Sequence, residues 1–450
     1  MAEKSDCLHL LAKAFSPYAT LYAVGGCVRD EIMGLECSDV DVCSKLQVED
    51  VKKILLNTDF VVSNKNLRMG TVHVSLGKFT VEYTAFRTDS YDKSSGEHTP
   101  KRVEFTTDMS LDARRRDFKC NALYKDVLTG KVVDVLGGLK DINSNIISTA
   151  DNPESVFEAD GLRILRLVRF ACELGFEIEE HTFEVAKQNA WRVKDIAVER
   201  VRDELFKIFV ADTKHPELAL KDAHVKGIRL LDELGLVDML LPELCALKGL
   251  EQPKKYHLYD AYNHSIKAYE YAPTHLRFCA LLHDIGKAEC MKLYGNMHGH
   301  ERVGADMARD VARRYKLSNV DTLRLVKIIS LHMTDINGNT SESKLRRTIA
   351  QNIDVMQDVC LVMDSDARAS NEQPPKPSRI RVTLDEMREE GAPFCIKDLK
   401  VSGKDLIALG VEDKKRGLIL KQLWADTVMS PSLNTREKAL AYIKRQAQKK

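Results

Sequence analysis

Short apolar runs separated by polar turns occupy the chain up to about residue 150, and helical periodicity takes over beyond it. The run Leu21–Val24 stops at the Gly25-Gly26 pair, and Arg29 and Asp30 follow, which predicts strand, turn and helix. Residues 38–42, Ser-Asp-Val-Asp-Val, alternate as a second short strand carrying Asp39 and Asp41. Val48–Leu56 has helical spacing, and Thr71–Leu76 and Phe79–Phe86 alternate across Gly77-Lys78 as a hairpin. Arg87–His98 is polar, with Ser94-Ser95-Gly96, and predicts a loop. From Asp151-Asn152-Pro153 the pattern is helical almost to the end, broken by Asn371–Arg381, where Pro374, Pro375 and Pro377 predict a linker. The expected class is α+β. A mixed α/β head over residues 1–150 precedes helical segments at 151–250 and 251–370, a linker at 371–393 and a helical tail at 394–450.

Strand side chains alternate, so Asp39 and Asp41 are expected on one face. Two carboxylates held together repel, and a hard divalent cation such as Mg²⁺ relieves that repulsion while engaging substrate phosphate. The glycine turn opening a helix offers N–H groups to the same phosphates. The combination points to metal-dependent nucleotidyl transfer. Glu82, on the hairpin, is a candidate third acid. In Arg114-Arg115-Arg116-Asp117 the guanidinium forks suit a polyphosphate or a ribose edge. Asp160 and Arg163 are three apart and share a face on a helix. Two readings fit them: a helix cap followed by a solvated arginine stripe, or an acceptor and donor that imitate a Watson–Crick edge for C and A.

Composition adds limits. The 450 residues suffice for two to four domains. Charged residues make up 30% with a net charge of +1, so nothing global demands nucleic acid. The tail is the exception: from Phe394 to Lys450 it holds 13 Lys/Arg against 6 Asp/Glu. The 11 cysteines form no C-x-x-C pair and no signal-peptide pattern precedes them, so reduced thiols in a cytoplasmic protein are expected. No apolar stretch reaches membrane-spanning length, so no membrane partner is expected; oligomeric state is not legible.

Gly25-Gly26-Cys27-Val28-Arg29-Asp30 followed by Asp39-Val40-Asp41 resembles the class II polymerase-β-type nucleotidyltransferases: the CCA-adding tRNA enzymes and bacterial poly(A) polymerases, which carry G-G-x-V-R-D and D-x-D. Arg115-Arg116-Asp117-Phe118 with Lys119-Cys120-Asn121-Ala122 resembles their R-R-D-F-T-x-N-A motif, with Lys119 in place of Thr. Asp134–Asp141 resembles their flexible element between head and neck. Asp160…Arg163 resembles their E-D-x-x-R base-selecting motif, with Ala159 where the family has Glu, and Glu199–Leu205 resembles the helix that braces it. The resemblance implies a polymerase-β-like head. There Asp39 and Asp41 are catalytic and hold two Mg²⁺, and Gly25, Gly26 and Arg29 hold the triphosphate. Arg116 and Asp117 contact the incoming ribose and help select ribonucleotides, Asn121 binds the nucleotide beside them, and Asp160 and Arg163, with Arg166 and Arg169 on the same stretch, engage CTP or ATP.

A second set, His264, His283-Asp284-Ile285-Gly286-Lys287, His298-Gly299-His300, His332 and Asp364-Ser365-Asp366, resembles the HD phosphohydrolases. It implies one transition metal (Mn, Ni, Fe or Zn) at His264, His283, Asp284 and Asp366, and a second at His300 and His332 with Asp284 bridging. His298 competes with His300, and Asp364 with Asp366. Val401–Gly410 and Pro431–Arg436 resemble the tail of HD-bearing CCA-adding enzymes, where Lys400, Lys404, Lys414, Lys415 and Arg416 would grip tRNA phosphates. The expected function is addition of C, C and A to a tRNA 3′ end, with a phosphodiesterase or phosphatase at the HD set. The competitors are a poly(A) polymerase, a CC-adding or A-adding enzyme, and an HD hydrolase with a noncatalytic RNA-binding head.

Overall fold

The computed structural model describes residues 2–37, 39–90 and 102–448. The chain forms two compact units, Met1–Leu240 and Leu241–Lys450.

The first unit is built on a seven-stranded sheet in the order β3-β4-β5-β2-β1-β8-β9. The strands are β1 (Tyr22–Val24), β2 (Asp41–Ser44), β3 (Val61–Asn66), β4 (Thr71–Leu76), β5 (Phe79–Ala85), β8 (Leu123–Asp126) and β9 (Val132–Asp134). A separate ribbon pairs β6 (Arg87–Ser90) with β7 (Arg102–Phe105). The expected hairpin is β4–β5, turning at Gly77 with φ +59°, a conformation that needs no Cβ. The polar loop expected at Arg87–His98 is β6 as far as Ser90, and its remainder lies outside the described residues.

Alternation along β5 decides which face carries chemistry. Phe79, Val81, Tyr83 and Ala85 are buried and pack with Leu11, Phe15, Val51 and Leu55 from the helices Ala2–Phe15 and Val48–Leu55. Glu82 therefore points to the opposite face. There a smaller cluster, with Val24, Cys43, Phe86, Ala113 and Tyr124, supports the site. Helices follow the sheet, and Leu162–Leu174 packs against Val198–Phe209 and Ala223–Glu233.

The second unit is helical. Ala261–Tyr271, Gly286–Tyr294, His300–Arg314, Asn319–Leu331 and Ile353–Asn371 form its main body, and the tail residues Leu399, Leu406, Leu423 and Ile443 make a small core of their own. The expected linker at 371–393 is corrected here: Arg379–Glu389 is a helix burying Ile380, Thr383, Leu384 and Met387. The prolines lie just ahead of that helix, where no N–H is yet required. Among the described residues no helix is long and apolar enough to cross a membrane.

Helices Gly286–Tyr294 and His300–Arg314 approach so closely that a Cβ on Gly286 would lie 2.2 Å from the His300 carbonyl oxygen and 2.5 Å from the Gly304 nitrogen. Gly286→Ala is expected to cost about 1–3 kcal/mol, since both obstacles are backbone. Gly417, inside helix Asp413–Met429, has nothing within 4 Å of its would-be Cβ. Gly417→Ala is expected to stabilise by about 0.5–1 kcal/mol. Urea denaturation of the two variants checks both signs.

Candidate functional site

In the first unit the glycine turn decides where the acids sit. β1 pairs with β2 through Tyr22↔Cys43, Ala23↔Val42 and Val24↔Asp41, and then Gly25 breaks away with φ +86°. With no partner beyond Val24, β2 starts at Asp41. The expectation that one strand carries both acids is thus corrected: Asp39 lies in the exposed segment ahead of it. On the other side β2 runs parallel to β5 with Asp41 opposite Glu82, so those two carboxylates share a face. Withdrawal from bulk water, then Glu82, raise the Asp41 carboxyl above its usual range; Arg116 and Lys65 oppose this, and Asp39 adds to it. Lys65 is ion-paired with Glu82.

A cavity of about 330 Å³ opens beside Asp41. Gly25, Gly26, Arg116, Asp117, Asn121, Asp160, Arg163 and Arg166 line it, together with Arg115, Leu162, Phe170 and Arg200. Its arginines are organised by two buried acids. Asp112 accepts from Arg115 Nε (2.8 Å), Arg116 Nη2 (3.2 Å) and the Tyr124 hydroxyl (2.7 Å). Burial opposes the Asp112 charge, yet Arg116, Arg115 and Tyr124 hold its carboxyl below the usual range. Asp117 accepts from the Phe118 amide (2.8 Å), Asn121 Nδ2 (3.1 Å) and Arg166 Nε (2.9 Å). Burial again opposes the charge, and Arg166 holds the Asp117 carboxyl well below its usual range.

Two expected contacts do not reach the cavity. Arg29 is buried beneath it, donating to Asn121 Oδ1 (2.6 Å) and to Asp30 Oδ1 (2.8 Å from Nε) and lying 5.0 Å over the Phe170 ring. Arg169 is buried between Glu173 (2.8 Å) and Glu204 (2.6 Å). Both brace the wall rather than face a ligand. Conversely, Asp112 was not picked out by the sequence, and Arg200, expected only in a bracing helix, lines the cavity itself. The spacing of Asp112 to Arg115 and Arg116, three and four along a helix, was the available signal.

Asp160 is extended, with φ −153°, and sits just ahead of helix Leu162–Leu174, capping it through Oδ1 to the Leu162 amide (3.0 Å). Its Oδ2 pairs with Arg200 (2.8 Å). Arg163 donates to the carbonyl oxygens of Arg115 (2.6 Å) and Val156 (3.3 Å). Those backbone oxygens orient the guanidinium where Ala159 supplies no carboxylate. The cap is thus present, but the arginines after it are not a solvated stripe: Arg166 is paired with Asp117 and Arg169 is buried, while Asp160 and Arg163 both line the cavity.

In the second unit His264, His283 and Asp284 form one cluster of potential metal ligands, and Asp284, His300 and His332 another. Asp284 divides its oxygens between them. Oδ2 lies 3.1 Å from His283 Nε2 and 3.5 Å from His264 Nε2; Oδ1 lies 3.1 Å from His300 Nε2 and 3.8 Å from His332 Nε2. Asp366 Oδ1 joins the first cluster, 2.9 Å from His264 Nε2 and 3.7 Å from His283 Nε2. The Nδ1 atoms of His283, His300 and His332 each face the carbonyl three residues earlier, at 2.7, 2.9 and 2.6 Å, which turns Nε2 inward. His283 Nε2 is buried without a hydrogen-bond partner. A buried imidazole nitrogen directed at two carboxylates without an aligned hydrogen bond to either fits a metal ligand. Between the open alternatives, His298 is exposed and outside the cluster, and Asp364 pairs with Arg381 at 2.5 Å. Lys287 donates to Asp284 Oδ2 (2.6 Å) and Gln252 Oε1 (2.6 Å).

In the tail, Lys400, Lys404, Lys414 and Lys415 are exposed, while Arg416 is half-buried, paired with Asp413 at 2.7 Å and bonded to the Val411 carbonyl.

Residues 21–148 match the poly A polymerase head domain, 175–248 the probable RNA and SrmB-binding site of polymerase A, and 257–369 the HD domain. A CCA-adding enzyme of Ligilactobacillus salivarius is 36% identical over 220 residues, 49% of this chain and 52% of the relative; the match thus spans about half that relative's length. An A-adding tRNA nucleotidyltransferase of Deinococcus radiodurans is 28% identical over 96% of both chains. The fold is that of the Bacillus stearothermophilus CCA-adding enzyme crystallised with CTP, with TM-score 0.67 at 24% identity over 99% of this chain and 97% of that one. The head and HD domains imply dependence on divalent metal.

Two outcomes are expected. Asp112→Ala leaves Arg115 and Arg116 without their buried counter-charge and should cost about 3–5 kcal/mol in a denaturant titration. In the HD cluster burial disfavours a charged His283, but Asp284 and Asp366 push its pKa up to about 10 without metal. Metal must displace that proton, so binding near pH 7.5 should release protons and weaken as the pH falls. Calorimetric titration with Mn²⁺ in buffers of different ionisation enthalpy measures the release.

Proposed function

We propose, from the premise that this chain belongs to the nucleotidyltransferases that join a poly A polymerase head to an HD domain, that it adds C, C and A to the 3′ end of tRNA from CTP and ATP in the cytoplasm. One observation carries the reading: a single cavity is bordered at once by Gly25, Gly26, Asp41 and Arg116, and by Asp160 and Arg163. The first group suits a triphosphate and its metals, and the second suits a base that carries an exocyclic amine beside a ring nitrogen. Asp41 and Glu82, with Asp39 from the preceding segment, would hold two Mg²⁺. Bound there, the ions would acidify the RNA 3′-hydroxyl and neutralise the leaving pyrophosphate. Arg116 lies close enough to Asp41 to offset part of the rise in its carboxyl pKa, and from there would meet the phosphates. Asp117, fixed by Arg166, and Asn121, held by Asp117 and Arg29, would bind the ribose. Asp160 would accept from the exocyclic amine, and Arg163 would donate to the ring nitrogen.

The HD cluster is read as a phosphodiesterase or phosphatase holding Mn, Ni, Fe or Zn at two positions, where such ions activate water and clamp phosphate. Lys287 would offset charge on the substrate. The tail lysines would contact tRNA phosphates, which positions RNA without reading sequence. A second reading, addition of A alone to an end already carrying CC, is favoured by the relation to an A-adding enzyme along nearly the whole chain.

Incubation with tRNA ending at the discriminator base and single labelled nucleotides separates the readings. CTP followed by ATP incorporation supports CCA addition. ATP incorporation only onto a CC end supports the A-adding reading, and long A tails support a poly(A) polymerase. No incorporation alongside hydrolysis supports an HD hydrolase with an inert head. Asp41→Asn should lower incorporation roughly a hundredfold or more while sparing phosphodiester hydrolysis, and Asp284→Asn should do the reverse. Loss of both activities in either folded variant would contradict the two-site reading.

A further inference from the structure

Asp41 borders a second cavity, of about 360 Å³, distinct from the one that holds Asp160 and Arg163. Asp41, Arg115 and Arg116 line both, so the two spaces meet at that acid and its arginines. The second is walled by β3, β4 and β5 with the ends of β1 and β2, and presents Lys65, Asn66, Thr71, Glu82, Thr84 and Arg87 beside the shared arginines. The Thr71 and Thr84 hydroxyls share a hydrogen bond at 3.2 Å, and the Lys65 side chain, 45% exposed, pairs with Glu82.

Displacement at phosphorus sets the attacking and leaving oxygens in line. A triphosphate over Gly25 and Gly26 fills the first cavity, so the attacking oxygen must arrive past Asp41 from the other side. We propose that the second cavity is the seat of the RNA terminus: it takes the ribose and phosphate of the last nucleotide, with Lys65 on the phosphate and the threonine hydroxyls on the sugar. The inference rests on the nucleotidyl-transfer reading and extends it to the second substrate. In the step served, the O3′–Pα bond forms while the bond from Pα to pyrophosphate breaks. The bonding pair leaves with pyrophosphate, and the hydroxyl proton passes to a nearby carboxylate or to water. The lining also has the right indifference. Each added nucleotide becomes the next terminus, so the seat must accept different bases. Lys65 and the two hydroxyls suit backbone, while the lining Arg87, Arg115 and Arg116 are already engaged by Asp89, Asp112 and the Met69 carbonyl, and Asn66 Oδ1 accepts from the Met69 amide.

Steady-state kinetics on the full chain test this with Lys65→Met and Thr84→Val, and Lys65→Arg as the charge-keeping variant. Lys53→Ala, on an outer helix with its side chain 77% exposed, is the control. Lys65→Met should raise the KM for tRNA about tenfold, the worth of one charge-assisted contact, and leave the KM for CTP within about twofold. The slope of log KM for tRNA against log salt should fall by about 0.7. Lys65→Arg should restore both, and Thr84→Val should raise the tRNA KM by a smaller factor. An active wild type whose tRNA KM is unmoved by these changes overturns the seat alone. So does a Lys65→Met variant in which CTP, tRNA and Mg²⁺ dependence shift together, since that is the mark of a structural effect through Glu82. A wild type that incorporates no nucleotide overturns the transfer reading, and the seat with it.

Discussion

Five arginines, Arg115, Arg116, Arg163, Arg166 and Arg200, converge on one cavity, and like charges at such spacing repel strongly unless something holds them. Two buried carboxylates hold most of the set. Asp112 gathers Arg115 and Arg116, and Asp117 fixes Arg166. Arg163 leans on backbone carbonyls, and Arg200 on Asp160. The cost of assembling that positive wall is met during folding, so a polyanion finds its partners already oriented. The acids Asp41 and Glu82 stand at its edge, and their register across β2 and β5 is fixed by the parallel ladder rather than by flexible loops.

The second unit solves a different problem with different chemistry. Hard carboxylate oxygens in the first unit suit Mg²⁺, whereas the HD cluster surrounds one aspartate with imidazoles, which favour borderline transition metals. Three of those rings are turned inward by hydrogen bonds to the carbonyl three residues earlier, and Gly286 lets two helices close on the cluster. The two centres share no residue, so each can be disabled alone.

Much of this was legible in the sequence for definite reasons. The β4–β5 hairpin showed as alternation across a glycine, and the HD ligands showed as an ordered set of residue types. What escaped depends on tertiary context. Alternation placed Asp39 and Asp41 on one strand, but Gly25 ends the pairing at Val24 and leaves Asp39 ahead of the ladder. Arg29 and Arg169 sit in motifs that suggest ligand contact, and only the packed fold reveals them stacked on Phe170 beneath the cavity. Asp112 offered only its three- and four-residue spacing to Arg115 and Arg116, a pattern that surface ion pairs share. The helix Arg379–Glu389 was masked by three prolines, although Ile380, Leu384 and Met387 recur at helical spacing.

The central claim is that the acids around Asp41 hold metal where a nucleotide's phosphates meet an RNA end. Anomalous diffraction from crystals soaked with Mn²⁺ and a non-hydrolysable CTP analogue tests it most directly. The account predicts two manganese peaks roughly 4 Å apart between Asp41 and Glu82, with triphosphate density over Gly25 and Gly26 and the base at Asp160 and Arg163. Triphosphate density elsewhere, or manganese confined to the histidine cluster of the second unit, would contradict it.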